Sequence, residues 1–373
     1  MDHSRNSVVI DQAALAHNFN QVRSLVGPQV KIMGVVKTDA YGHGLVSVSK
    51  ALARMAVDCL GVAHFHEAVQ LRESGLALPV FILSGIRSRE EARAVIEHRL
   101  SPVFFDLPTV EIIAEECVRL GKRASIHVKV DTGMGRLGIL QKDLVPFLRK
   151  VISFKSLDLG GFISHLSSAD DPDRCFTNSQ IENFADAIET ARAMGFDLPL
   201  NSLANSAGVM SYPESHFEMV RPGIMLYGGL PSPDFRSPVS LRPVMSFKAA
   251  VLQVRNMSEG IPVGYGRTYY TKGDQKIAVI SAGYGDGLPR RISNRGQVLI
   301  RGRKAGIVGR VCMNLIMADV SAINGLEPGD EAVFLGCQAG SCITGDDVAR
   351  WAETISYEVF CSIGQRSKRS YGL

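Results

Sequence analysis

From about residue 7 to residue 230, short apolar runs alternate with longer stretches whose apolar residues recur at helical spacing, the pattern of repeated β–α units. After an initial extended piece, "SVVID", eight runs read as strands. They are "KIMGVVK" from Lys31, "CLGVAH" from Cys59, "PVFILSG" from Pro79, "SPVFF" from Ser101, "SIHVKVD" from Ser125, "LGGFISH" from Leu159, "LPLNSL" from Leu198 and "FEMVRPGIMLYG" from Phe217. Helical segments lie between them. In "FTNSQIENFADAIETARAMG", Ile181, Phe184 and Ile188 share one face, Asn178 or Ser179 suits the start and Gly195 the end. The pattern predicts an α/β fold, an N-terminal (β/α)8 TIM-type barrel.

Past about Pro231 the texture changes. The proline-rich "PSPDFRSPVSLRPV" leads into strand-like alternation with a turn signal every few residues and one clear helix, "TGDDVARWAETI". The predicted division is residues 1–235, the barrel, and residues 236–373, a C-terminal mainly-β domain, with the initial strand free to join the second. A barrel of roughly 250 residues and a smaller partner account for a chain of this length.

Composition narrows the partners. Hydrophobic residues make up 46% of the 373 and charged residues 21%, which suits a well-packed globular protein. The net charge is only +4 and the basic residues are scattered, so nucleic acid is not an expected partner. No apolar run is long enough for a signal peptide or a membrane span, so the expected location is cytoplasmic. Seven cysteines, odd in number and without a C-x-x-C pair, point to a reduced compartment and no metal site.

Barrel enzymes carry their reactive groups at the C-terminal ends of the strands. There the runs end on Lys37, on Lys129 and Asp131, on His165, on Asn205 and Ser206 just beyond the seventh, and on Arg221 at the eighth. Taken singly, each is more often an exposed or structurally paired side chain. Together they describe one polar pocket with Lys37 as its nucleophilic amine, since a desolvated lysine beside other cations has a lowered pKa and condenses with carbonyls. That chemistry suits pyridoxal phosphate, with "NSAG" at Asn205–Gly208 and "PGI" at Pro222–Ile224 available to a phosphate or serving as ordinary turns.

The motifs "VVKTDAYGHG", "KVDTGMGRLG", "ANSAG", "VRPGIMLYG", "VGYGRTY", "GYGDG" and "GRVCMN", in this order along nearly the whole chain, resemble those of alanine racemases. The resemblance implies a fold-type III pyridoxal-phosphate enzyme, a homodimer whose active sites are each built from both subunits. The implied activity is interconversion of L- and D-alanine, supplying D-alanine for peptidoglycan. Lys37 then holds the cofactor and acts as one proton-transfer base, and Tyr265 of the partner subunit acts as the other. The resemblance assigns Arg221 to the pyridine nitrogen with His165 as its neighbour, and Tyr41, Asn205, Ser206, Gly223 and Ile224 to the cofactor. It assigns Arg136, with Met313 and Asn314, to the substrate, and Asp170, Tyr284, Arg290 and Arg310 to the corridor leading in. Lys129 matches a lysine that is carbamylated in many relatives, the alternative being an unmodified lysine paired with Asp131.

Three positions depart from the family pattern. Asn314 replaces the usual aspartate, Gln365 falls where a tyrosine supports the phosphate, and Ser202 stands where histidine is common. A serine-directed or broad-specificity racemase is therefore the alternative. A basic amino-acid decarboxylase and a non-catalytic pyridoxal-phosphate carrier are less favoured, the first for want of a cysteine motif of the decarboxylase type and the second because the carrier has no second domain.

Overall fold

The apolar runs form a closed parallel barrel in a computed structural model that describes residues 6–372; the extreme ends of the two assigned domains, residues 1–5 and 373, lie outside the described residues. Strand follows strand in sequence order. Lys31–Val35 pairs with Cys59–Val62, which pairs with Val80–Ile82, then Ser101–Phe104, Ala124–Asp131 and Leu157–Ile163. Met219–Val220 returns to Lys31–Val35 through Lys31↔Met219 and closes the ring.

Two predicted strands are reduced to two residues or fewer. "LPLNSL" keeps one bridge, Ile163↔Ser202. Backbone bonds from Leu200 N to Gly160 O and from Ser202 N to Phe162 O remain, and the Asn201 amide adds to them, its Oδ1 accepting from Phe162 N at 2.9 Å and its Nδ2 donating to Leu198 O at 3.0 Å. "FEMVRPGIMLYG" is extended only over Met219–Val220, because Pro222 has no N–H to give and a short 3₁₀ turn begins at Ile224. The helix after the sixth barrel strand starts at Cys175, upstream of Asn178 and Ser179, where Asp173 Oδ1 accepts the Cys175 N–H at 2.9 Å.

Inside the barrel Met33, Cys59, Phe81, Val103, Ile163 and Met219 form a buried plug. His127 joins it with its ring edge-on to Phe81 at 4.8 Å. This fills the interior, so the polar residues at the strand ends gather above it.

The initial strand, Asn6–Asp11, is not part of the barrel. It pairs antiparallel with Met245–Met257 and parallel with Arg369–Gly372, so both ends of the chain meet in the C-terminal sheet. That sheet folds back on itself, because Met245–Met257 also pairs with Glu331–Gln338. Two expectations need correction here. A second helix, Ser356–Arg366, follows Gly345–Ala352 and buries Val359, Phe360 and Ile363; its aromatic and β-branched residues had concealed the helical period. Cys337 and Cys342 are joined by a disulfide, contrary to the reading of a fully reduced set, because a tight hairpin makes them direct cross-strand partners.

His127 has no hydrogen-bond partner at either ring nitrogen, nor has His43 at Nε2. Burial pushes both pKa values down to about 4, whereas an unfolded histidine titrates near 6.5. Between these limits the unfolded chain binds protons that the folded one does not, so stability is full above about pH 6.5 and falls as pH drops toward 4. The loss reaches on the order of 3 kcal/mol per histidine. Urea denaturation from pH 7 to 4 should show this slope, and His127→Leu should flatten it; an unaltered slope in the variant contradicts the assignment.

Candidate active site

Lys37 leaves the barrel on a turn of the wrong hand. Thr38, Asp39, Ala40 and Tyr41 all have φ between 53° and 56°, followed by Gly42 at 79°. Left-handed backbone costs about 1–2 kcal/mol for each L-residue, so neighbouring groups must hold it. Glu67 Oε1 accepts the Thr38 N–H at 2.6 Å. Asp39 closes the far end, its carbonyl accepting from Gly44 N at 2.8 Å and its Oδ1 from Leu45 N at 2.7 Å. Arg369, from the C-terminal strand, pairs with Asp39 and donates to Gly42 O at 2.8 Å. Helix Ser356–Arg366 presses against the same turn: a Cβ on Gly364 would overlap the Gly42 carbonyl, and one on Gly42 would overlap the Phe360 carbonyl.

The turn opens into a cavity of about 300 Å³ lined by Lys37, Tyr41, Lys129, Arg136, His165, Asn205, Ser206, Arg221, Gly223 and Ile224, with Ala63, Leu83, Leu137 and Tyr357 among its walls. Ten of the residues predicted from sequence are therefore brought together. Burial and the Arg136 guanidinium hold the Lys37 amine below the usual lysine range, against the opposing pull of Glu67. Lys129 is held well below it, by burial and then by Arg221, Arg136 and Lys37. Asp131 does not pair with Lys129; its Oδ1 accepts the N–H groups of Gly133, Met134 and Gly135 at 2.9, 2.9 and 3.2 Å.

Arg221 is buried and fixed on several sides. Its Nη1 donates to Ser202 Oγ at 2.6 Å, and its Nη2 donates to the Ser164 and Leu203 carbonyls and to His165 Nδ1, the last at 3.1 Å. Burial lowers its pKa to about 9, which still leaves it protonated at neutral pH. His165 Nδ1 must then accept, so the proton of the neutral ring sits on Nε2. Burial and the surrounding cations keep that ring neutral.

One end of the cavity brings hydroxyl groups together around a close turn. Ser206 Oγ accepts the Gly223 N–H at 3.0 Å, tying the start of helix Ser206–Ser211 to the turn before Ile224. A Cβ on Gly223 would overlap the Tyr41 hydroxyl, so only glycine leaves room there. The Tyr41 ring is tilted against Tyr227 at 4.8 Å and Tyr357 at 5.8 Å. Burial raises all three phenol pKa values, which keeps these hydroxyls protonated donors.

The remaining predicted residues lie elsewhere in the chain. Tyr265 is 70% exposed and Met313 58% exposed. Tyr265 lines a different surface cavity with Val263, Cys312, Leu315 and Met317. Arg290 and Arg310 share a third, beside Arg291 and Arg295. Asn314 and Tyr284 are exposed, as is Gln365 on the last helix, and Asp170 is half-buried beyond His165. Among the described residues, no group of three or more His, Cys, Asp or Glu side chains is placed to hold a metal, and no helix is long and apolar enough to cross a membrane. Three contributors were not assigned a role from sequence. Glu67 has the local signature of an ordinary helix start, Tyr357 sits on the helix the pattern concealed, and Ser202 was visible only as a departure.

Family models for the N-terminal and C-terminal domains of alanine racemase match residues 10–231 and 244–371. The chain belongs to the alanine racemase family. It is 42% identical over 364 residues to the alanine racemase of Syntrophobacter fumaroxidans, covering 98% of this chain and 96% of that one. The alanine racemase of the D-cycloserine-producing Streptomyces lavendulae superposes with a TM-score of 0.94 at 32% identity, over 100% of this chain and 99% of that one. The alanine racemase of Bartonella henselae, with covalently bound pyridoxal phosphate, superposes with a TM-score of 0.88 at 30% identity, over 99% of each chain.

The grip on the left-handed turn makes a stability prediction within this family fold. Gly42→Ala, at φ 79° and against the Phe360 carbonyl, should cost at least about 2 kcal/mol of unfolding free energy. Gly75→Ala, at φ 86° with nothing within 4 Å of the new Cβ, should cost only about 1 kcal/mol. Equal losses in chemical denaturation contradict the account.

Proposed function

We propose that the protein is a pyridoxal-phosphate-dependent racemase interconverting L- and D-alanine, acting in the cytoplasm as a homodimer and supplying D-alanine for peptidoglycan. The observation that carries this is a desolvated lysine amine, its pKa lowered, facing a buried arginine across a cavity that ends in the Tyr41, Ser206 and Gly223 cradle. The donors fit the cofactor: hydroxyls and backbone N–H groups suit a phosphate, and Arg221 suits a pyridine nitrogen. When bound, pyridoxal phosphate supplies a conjugated ring that accepts the electron pair left at the substrate Cα.

In this reading Lys37 Nζ would hold the cofactor at its carbonyl and would serve as the base for the Cα proton on one face. A lowered pKa gives it a larger neutral fraction near pH 7, which a base requires. Inversion needs a second base on the opposite face, and we assign the Tyr265 hydroxyl of the partner subunit to it. The exposure of Tyr265 and Met313 supports a role at a subunit interface, with the barrel and Tyr357 forming one half of each site and the segments around Tyr265 and Met313 reaching the partner's. Arg221 would hold the ring nitrogen as a donor and, having no acceptor atom, would leave that nitrogen without a full proton. Ser202 and His165 orient it.

Arg136 binds the substrate carboxylate through charge-assisted hydrogen bonds, with the Met313 N–H of the partner subunit. Carbamylation of Lys129 would place a negative charge where burial already disfavours an ammonium ion. Asp170, Tyr284, Arg290 and Arg310 form the corridor in this assignment. The small cavity, walled by Tyr41, Leu83 and Tyr357, supports alanine over larger amino acids, and Asn314 keeps serine as the alternative; relative turnover of the two substrates decides between them.

Lys37→Ala should lose both the visible cofactor absorbance and racemisation, and Tyr265→Phe should keep the absorbance and lose racemisation. Shared sites add a sharper test. Co-expressed Lys37→Ala and Tyr265→Phe chains should recover about a quarter of wild-type activity, since half the dimers are mixed and one site in each mixed dimer is intact. No recovery in proven mixed dimers contradicts the shared site.

A further inference from the structure

Glu67 is a buried carboxylate, 6% exposed, in the first turn of helix Phe65–Glu73. One oxygen does ordinary work for that helix: Oε2 accepts the N–H groups of Ala63 and His64 at 2.9 and 3.0 Å. The other reaches into a different β–α unit, where Oε1 accepts the Thr38 N–H at 2.6 Å. Thr38 directly follows Lys37 and is the first of the left-handed residues. Among the described residues Glu67 makes no ion pair, so its charge is balanced by backbone donors and by the field of the cavity. The groups facing the Lys37 amine are Arg136, Arg221, Lys129 and His165 on the basic side, and Glu67 and the Cys361 thiol on the acidic side.

We propose that Glu67 is a positioning residue for Lys37, its Oε1 fixing the peptide plane after the lysine and its charge offsetting the cations around the amine. The inference rests on the reading of Lys37 as a proton-transfer base. The peptide between Lys37 and Thr38 sets the direction in which the lysine side chain leaves the backbone. A pivot there displaces the distant amine by on the order of 1 Å, enough to cost about a hundredfold in a proton transfer. Both oxygens are needed for this role. A glutamine can offer its single carbonyl oxygen to Thr38 or to the Ala63 and His64 pair, and it aims its NH2 at N–H donors on the other side. An aspartate keeps the charge and loses the reach.

The test compares wild type, Glu67→Gln and Glu67→Asp as full-length proteins. With the holoenzymes, kcat and KM are measured in both directions with ordinary and Cα-deuterated L- and D-alanine. Both variants should lose at least about tenfold in kcat with little change in KM. The deuterium isotope effect should rise only in the direction in which Lys37 removes the proton, because only that transfer is impaired. A second readout does not use activity: the visible absorbance that develops when pyridoxal phosphate is added to the apoprotein reports capture by the neutral amine. Its pH profile should move to lower pH in Glu67→Gln, which loses the charge that favours the ammonium form, and stay in place in Glu67→Asp. Wild-type isotope effects, an equal rise in both directions, or unmoved pH profiles in both variants overturn the proposal and leave Glu67 as a helix cap. If the wild-type protein itself exchanges no Cα hydrogen, the racemase reading falls and takes this inference with it.

Discussion

A left-handed turn of four L-residues persists only because separate parts of the chain hold it at once. Glu67 fixes the first of its N–H groups, Arg369 pairs with Asp39 at its centre, and the Phe360 to Gly364 stretch of the last helix packs against Gly42 with no room for a side chain. The cost of the turn, about 1–2 kcal/mol for each residue, is met by contacts from the barrel, the C-terminal helix and the C-terminal strand together. The two structural units are thereby linked within one chain at the residue that matters most. Any assembly between chains adds to this internal link and does not replace it.

The second constraint is electrostatic. Lys37, Lys129, Arg136 and Arg221 meet in one small cavity, and the acids nearest to it are occupied with backbone N–H groups. Arg221 keeps its proton because its pKa, even lowered to about 9, stays above neutral, whereas the two lysines, with lower intrinsic pKa values, are pushed toward their neutral forms. A cavity of this kind favours a ligand carrying negative charge at both ends, such as a phosphate at the cradle and a carboxylate at Arg136. Burial thus gives one basic group a fixed charge and another a usable lone pair.

Much of this was legible in sequence, for definable reasons. Lys37, Lys129, His165 and Arg221 stand where alternating apolar runs stop, and a parallel barrel must bring such ends together. Ser206 and Gly223 were visible as a strand-end residue and a turn that could meet a phosphate, whereas Tyr41 lies in a short turn without periodicity and emerged only through motif resemblance. Glu67 stayed hidden because one of its oxygens does what any glutamate in a first helical turn does, while the other crosses to a residue 29 positions away. Gln365 was assigned to the cofactor by position in a motif; the side chain is exposed, and Tyr357, two turns earlier on the same helix, lines the cavity instead. The Cys337–Cys342 pairing depends on a hairpin register that cysteine counting does not contain.

The central claim is that the Cα proton of alanine is exchanged between two bases, a buried lysine amine on one face and a tyrosine hydroxyl on the other. It is tested most directly by incubating the purified protein with L-alanine in deuterated water and following both chirality and mass. The account predicts D-alanine carrying deuterium at Cα, with approach to an equal mixture of the two enantiomers. L-Alanine recovered unchanged in chirality and without deuterium, from protein that shows the visible cofactor absorbance, would contradict it.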